Sequence, residues 1–136
     1  VGSSGSIYTS LDGISWINKT IDNETNDLRA VTYGDGIFVA LAGHDTIYYS
    51  TDANNWTKTS SGGNGRIYDV EYGNGAFVAV GQNHSVARST DGKFWVEITN
   101  TNIMSTENKA ITYGGSYFFS PWRWKIIFFF GWVIME

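Results

Sequence analysis

Three serine and aspartate pairs recur ahead of a tryptophan: Ser10 and Asp12 before Trp16 in SLDGISW, Ser50 and Asp52 before Trp56 in STDANNW, Ser89 and Asp91 before Trp95 in STDGKFW. Grouped carboxylates could hold a divalent cation through oxygen ligands, or divide acid and base duties across a glycosidic bond. The same residue types have a competing architectural use. An Asp or Ser at the mouth of a tight turn accepts hydrogen bonds from turn amides, and Trp packs between layers with its indole N–H satisfied close by. A residue needed once per repeat serves the repeat, so these nine are read as structural.

A second set could bind a ligand. His44 beside Asp45, and Asn83 beside His84, sit in equivalent polar loops. A metal site needs three or four convergent ligands, which two histidines on different units do not supply, so neither a metal nor a cofactor is implied. Asn26, Asp27, Asn64 and Arg66 belong to the neighbouring loop set, expected on the same rim. Arg29, Tyr68 and Lys109 each lie four residues before a Tyr-Gly pair (Tyr33, Tyr72, Tyr113). A cation, an aromatic ring and a second cation at one repeat position could hold an anionic or sugar ligand. The candidate binding residues are therefore Arg29, His44, Asp45, Arg66, Tyr68, Asn83, His84 and Lys109. Phosphate-binding loops, nucleophile elbows and HExxH are absent from the sequence, and no catalytic residue is nominated.

The elements that must position these groups follow from the repeat, whose landmarks recur at intervals of 40 and 39 residues from Trp16 through Trp56 to Trp95. Between them run YGDGIFVALAG from Tyr33, YGNGAFVAVG from Tyr72 and YGGSYFF from Tyr113. LRAVTYG alternates with period two and runs into Asp-Gly, a dipeptide that accepts positive φ in two-residue hairpin loops. Strands are predicted over Leu28 to Tyr33 and Ile37 to Ala42. A polar loop and a third strand (TIYYS, SVARS) follow, and the S-x-D-G-x-x-W turn leads to a fourth (TKTSS, VEITN). Four antiparallel strands in about 40 residues predict an all-β chain of β-propeller blades. Full blades are expected at 28–61 and 67–100, with half blades at 1–21 and 105–119, about three blade equivalents in all. Propeller rings usually have four to eight blades. The expectation is a fragment of a longer ring, or a homodimer in which two chains complete each other's half blades into a six-bladed ring.

The repeated S-x-D-G-x-x-W over residues 1–119 resembles the Asp-box (BNR-type) propellers, a group spanning sialidases, photosystem assembly factors and many surface and phage proteins. The motif lacks one residue of the usual S-x-D-x-G-x-T-W, and Ala53 stands where Gly is expected. A sialidase likeness would imply an arginine cluster for a substrate carboxylate, a Tyr/Glu nucleophilic pair and an acid Asp. Arg29, Arg66 and Arg88 are the only arginines within the repeats, and no F/Y-R-I-P segment occurs. The expected function is a non-catalytic binding or interaction module with a glycan or protein ligand on the loop face. The alternatives are a fragment of a propeller glycoside hydrolase, or a truncated or engineered fragment without its own activity.

Composition bounds the partners. Sixteen glycines, one proline and a net charge of −4 without any Lys/Arg cluster fit short strands and turns and carry no electrostatic footprint for nucleic acid. Zero cysteines removes disulfide and thiolate chemistry and leaves the compartment open; four N-x-S/T triplets, at Asn18, Asn23, Asn55 and Asn83, lean weakly toward a secreted or surface protein. The apolar tail 120–136, SPWRWKIIFFFGWVIME, offers 10 residues from Ile126 to Met135 where roughly 20 are needed to span a membrane. Two readings of it stand. Displaced by one nucleotide, Trp122, Trp124 and Trp132 become forced glycines and Met135 a forced tryptophan, 40 codons after Trp95, which favours a frameshift near Phe119 over a divergent terminus.

Overall fold

The computed structural model describes residues 1–83, 85–98 and 107–120. The apolar tail beyond Ser120, and with it the frameshift reading, lies outside the described residues, as does His84. Among the described residues the chain is all β, without a helix, in four antiparallel sheets. In chain order the strands are β1 (Tyr8–Thr9), β2 (Ile17–Asn18), β3 (Leu28–Gly34), β4 (Ile37–Ala42), β5 (Thr46–Ser50), β6 (Thr57–Ser60), β7 (Ile67–Gly73), β8 (Ala76–Gly81), β9 (Val86–Ser89), β10 (Val96–Glu97), β11 (Thr112–Gly114) and β12 (Tyr117–Phe119). Strands β3 to β6 form one four-stranded meander and β7 to β10 a second; β1 with β2, and β11 with β12, form two-stranded sheets.

Turn chemistry sets the hairpins. Asp35 and Gly36 join β3 to β4 with φ of 48° and 77°, and Asn74 and Gly75 join β7 to β8 with 47° and 73°. Positive φ at both central residues gives the twist that two flanking strands require. Gly34 then pairs with Ile37, and Gly73 with Ala76, so the apolar alternation falls on the same faces in both units.

Packing between the sheets explains why the second strand of each unit is apolar on both faces. On β8, Phe77 and Ala79 join Val39, Leu41, Ile47, Ile67 and Val70 in one cluster. Val78 and Val80 turn to the opposite side, where they meet Val86, Ile111 and Phe118. On β4, Ala40 and Ala42 face Ile7, Leu28 and Tyr48. Each fully covered Val, Leu, Ile or Phe contributes about 1.5–3 kcal/mol, which makes these three layers of contact the main source of stability.

Adjacent sheets are keyed at the repeated Tyr-Gly pair. A Cβ on Gly34 would stand 2.0 Å from Cγ of Tyr72, and one on Gly73 would stand 2.1 Å from Cγ of Tyr113. Each tyrosine also tilts against the phenylalanine across its own hairpin, with ring centroids 4.5 Å apart for Tyr33 and Phe38, 4.7 Å for Tyr72 and Phe77, and 4.9 Å for Tyr113 and Phe118. The first strands β3, β7 and β11 thereby lie side by side, β7 touching both of the others. No helix among the described residues is long and apolar enough to cross a membrane.

Candidate functional site

Arg29 and Tyr68 come together because both occupy the same irregularity. The β3 to β4 ladder slips between Leu28 and Ala30, and the β7 to β8 ladder between Ile67 and Asp69. The residue passed over is Arg29 in one sheet and Tyr68 in the next. A bulge of this kind breaks the alternation and re-aims one side chain. Re-aimed, the Arg29 guanidinium carbon lies 5.7 Å from the centre of the Tyr68 ring, within cation–π range.

The contact continues into the third unit. The Tyr68 hydroxyl donates to Glu107 Oε1 at 3.3 Å, and Lys109 Nζ lies 3.6 Å from Glu107 Oε2. Glu107 is held in place by an antiparallel bridge to Gln82, and the N–H of Asn108 donates to the carbonyl of Gly81 at 2.9 Å. Arg29, Tyr68, Glu107 and Lys109 therefore form a chain that alternates cation, ring, carboxylate and cation across three repeat units. With Asp27, Leu28, Gly2 and Ser3 they line an open groove of about 600 Å³.

The groove collects three of the eight nominated binding residues. His44 is exposed, and its carbonyl accepts the Ile67 N–H at 2.9 Å, tying one loop to the next sheet. The Asp45 carboxylate accepts the Ser60 hydroxyl at 2.7 Å and so closes the end of its own sheet. Arg66 offers its carbonyl to the Gln82 N–H at 2.7 Å, and Asn83 is exposed in a turn with φ of 55°. None of these four lines the groove. The two loop sets touch at Gly43, whose N–H donates to the Asp27 carbonyl at 3.4 Å. Glu107 escaped sequence reasoning, although a signal existed: Asp27, Arg66 and Glu107 each stand two residues before the Arg29, Tyr68 and Lys109 positions.

The Ser and Asp pairs lie elsewhere, in the turns that lead to the fourth strands, and their carboxylates are occupied. Asp12 Oδ1 accepts the N–H groups of Ile14 and Ser15 at 2.8 Å and the Ser10 hydroxyl at 3.0 Å. Asp52 Oδ1 accepts Asn54 and Asn55 N–H at 2.8 Å and the Ser50 hydroxyl at 3.0 Å. Asp91 Oδ1 accepts Lys93 and Phe94 N–H at 2.9 Å and the Ser89 hydroxyl at 3.1 Å. Donors converging on one oxygen favour the ionised form. Amides of Ser15 and Ile14 draw the Asp12 carboxyl down to about 2, the Asn55 amides draw Asp52 lower still, and the Phe94 amide leads the same lowering at Asp91. Trp56 and Trp95 return their indole N–H to the carbonyls of Ala53 and Gly92, at 3.3 and 3.1 Å, and both pack against core clusters. Trp16 stands 60% exposed. Among the described residues there is no group of three or more His, Cys, Asp or Glu that could hold a metal ion.

No protein-family model matches this chain, and no curated protein matches it.

Proposed function

We propose that the sheets are whole and partial blades of an Asp-box-like β-propeller, and that the chain is a non-catalytic binding module that takes a glycan in the Arg29, Tyr68 and Lys109 groove. The blade reading draws support from strands hydrogen-bonded in chain order within each four-stranded sheet and from first strands that lie side by side in successive sheets. The observation that carries the ligand reading is the convergence of one repeat position from three repeat units on a single opening. Its chemistry suits a polyhydroxyl ligand. Arg29 and Lys109 offer donors, Asp27 and Glu107 offer acceptors, and an aromatic ring between them is a surface on which the apolar face of a sugar can rest.

A glycan array with the full chain tests this reading, followed by titration of the best hit against Arg29→Ala. Loss of a contact worth about 1–2 kcal/mol weakens binding roughly five- to thirtyfold. A blank array, or a hit bound equally well by the variant, overturns it. A fluorogenic glycoside assay separates the module from the propeller glycosidase: turnover lost in Arg29→Ala would favour the enzyme.

A further inference from the structure

The tyrosine-on-glycine key is used twice inside the chain and stands half-made at two further places. Tyr72 fills the space over Gly34, and Tyr113 the space over Gly73. Among the described residues Tyr33, the equivalent tyrosine of the first four-stranded sheet, faces no such glycine and is 56% exposed. Gly114, the equivalent glycine of the β11 and β12 sheet, has nothing among the described residues within 4 Å of where its Cβ would stand. One face thus presents a tyrosine without its glycine, and the other a glycine without its tyrosine.

The rest of the Tyr33 face repeats the pattern. Val31 matches Val70 and Ile111, each two residues before the Tyr-Gly tyrosine. Val70 and Ile111 are 3% and 6% exposed beneath the preceding sheet, whereas Val31 is 45% exposed. The β1 and β2 pair covers only the outer part of this face, through Ile7 and Ile21 against Ala40, Tyr48 and Trp56. By the position of Ser10, β1 and β2 correspond to the third and fourth strands of a unit; by the position of Tyr113, β11 and β12 correspond to the first and second. What the exposed inner part of the face lacks is the half-sheet that the chain carries at its other side.

We infer that a second copy of this chain seats its β11 and β12 sheet on β3, with Tyr33 of one copy over Gly114 of the other, as Tyr72 lies over Gly34. The two faces are complementary because they are the two halves of a contact that the chain already makes twice. A two-fold axis repeats the seating and closes the pair, leaving no third junction open. Across each junction β1 and β2 of one copy share a layer with β11 and β12 of the other. This inference rests on the equivalence of the sheets and is independent of the ligand in the groove.

Light scattering on the full chain reads the first consequence, a particle of twice the 15.1 kDa chain mass. Gly114→Ala is the discriminating variant. A methyl group there meets nothing among the described residues of its own chain, so the circular dichroism and the melting temperature of the isolated monomer stay as they were. Against the incoming ring it is overpacked, and the dimer dissociation constant rises about ten- to a hundredfold. Tyr33→Ala weakens the pair in the same way. Mixing the two variants then restores association, because one of the two junctions in the mixed dimer joins an intact Tyr33 to an intact Gly114. A monodisperse monomer at every concentration overturns the inference and gives the face to another occupant. So does a Gly114→Ala dimer as tight as the parent, or a mixture no tighter than either variant alone.

Discussion

The ring of Tyr72 lies so close over Gly34 that a Cβ there would stand 2.0 Å from ring atom Cγ. This approach joins two sheets that share no β-ladder, and it gives a physical use to the Tyr-Gly pair that recurs through the chain. Substituting Gly34→Ala forces the ring away and disturbs the cluster of Val39, Leu41, Phe77 and Ala79 behind it. The expected cost is about 3 kcal/mol, at the upper end for an overpacked core. Urea denaturation of Gly34→Ala and Gly73→Ala beside Gly114→Ala checks it: the first two are destabilised and the third melts with the parent monomer.

Ala53 places a side chain at a turn position that the other two S-x-D turns give to glycine. Its φ is 57°, against 73° at Gly13 and 70° at Gly92. Left-handed backbone costs an L-residue roughly 1–2 kcal/mol, part of which glycine returns as lost chain entropy. Ala53→Gly is expected to stabilise the fold by about 0.5–1 kcal/mol. An unchanged or lowered denaturation midpoint would show that the alanine methyl contributes packing that the turn geometry conceals.

Acid should weaken the fold through the three turn carboxylates. Asp12, Asp52 and Asp91 are all held below their ordinary value of 3.8 by turn amides. A carboxylate lowered on folding contributes stability that is complete above its unfolded value and is lost as the pH falls through the folded one. The loss therefore begins near pH 4 and continues toward about 2. In the Asp12→Asn, Asp52→Asn, Asp91→Asn triple variant the side-chain oxygens still accept the turn amides but do not titrate, so the acid limb of a stability profile should flatten. An unaltered slope would assign acid sensitivity to other groups.

The alkaline side has its own probe in Tyr48. Its hydroxyl donates to Glu24 Oε2 at 2.6 Å, and burial followed by the Glu24 hydrogen bond and charge pushes it up to about 12. Burial by itself would raise Glu24 too, but the Tyr48 hydroxyl and the N–H groups of Asn26 together bring its carboxyl below the usual value. A tyrosine raised on folding contributes stability that is present below 10 and lost as the pH climbs toward about 12. Tyrosinate absorbance should show one late-ionising ring, absent in Tyr48→Phe. That variant also strips a donor from a buried carboxylate, at a cost of about 1–3 kcal/mol.

Strand order, hairpin register and turn type were legible in the sequence because each depends on neighbours along the chain. Asp35-Gly36 and Asn74-Gly75 specify positive φ locally, and period-two alternation specifies which residues share a face. The Ser and Asp pairs were legible for the same reason, since their donors lie two to three residues away. What stayed hidden depends on distance across sheets. That Arg29 and Tyr68 are the passed-over residues of two bulges, and that Glu107 bridges Tyr68 to Lys109, follows from how β3, β7 and β11 are set against one another. A ladder slip of one residue leaves no trace in composition. Likewise the repeat announces that Tyr and Gly adjoin in sequence, but only the stacked sheets decide that Tyr72 and Tyr113 lie on the glycine of the sheet before, where close packing leaves no space for a side chain.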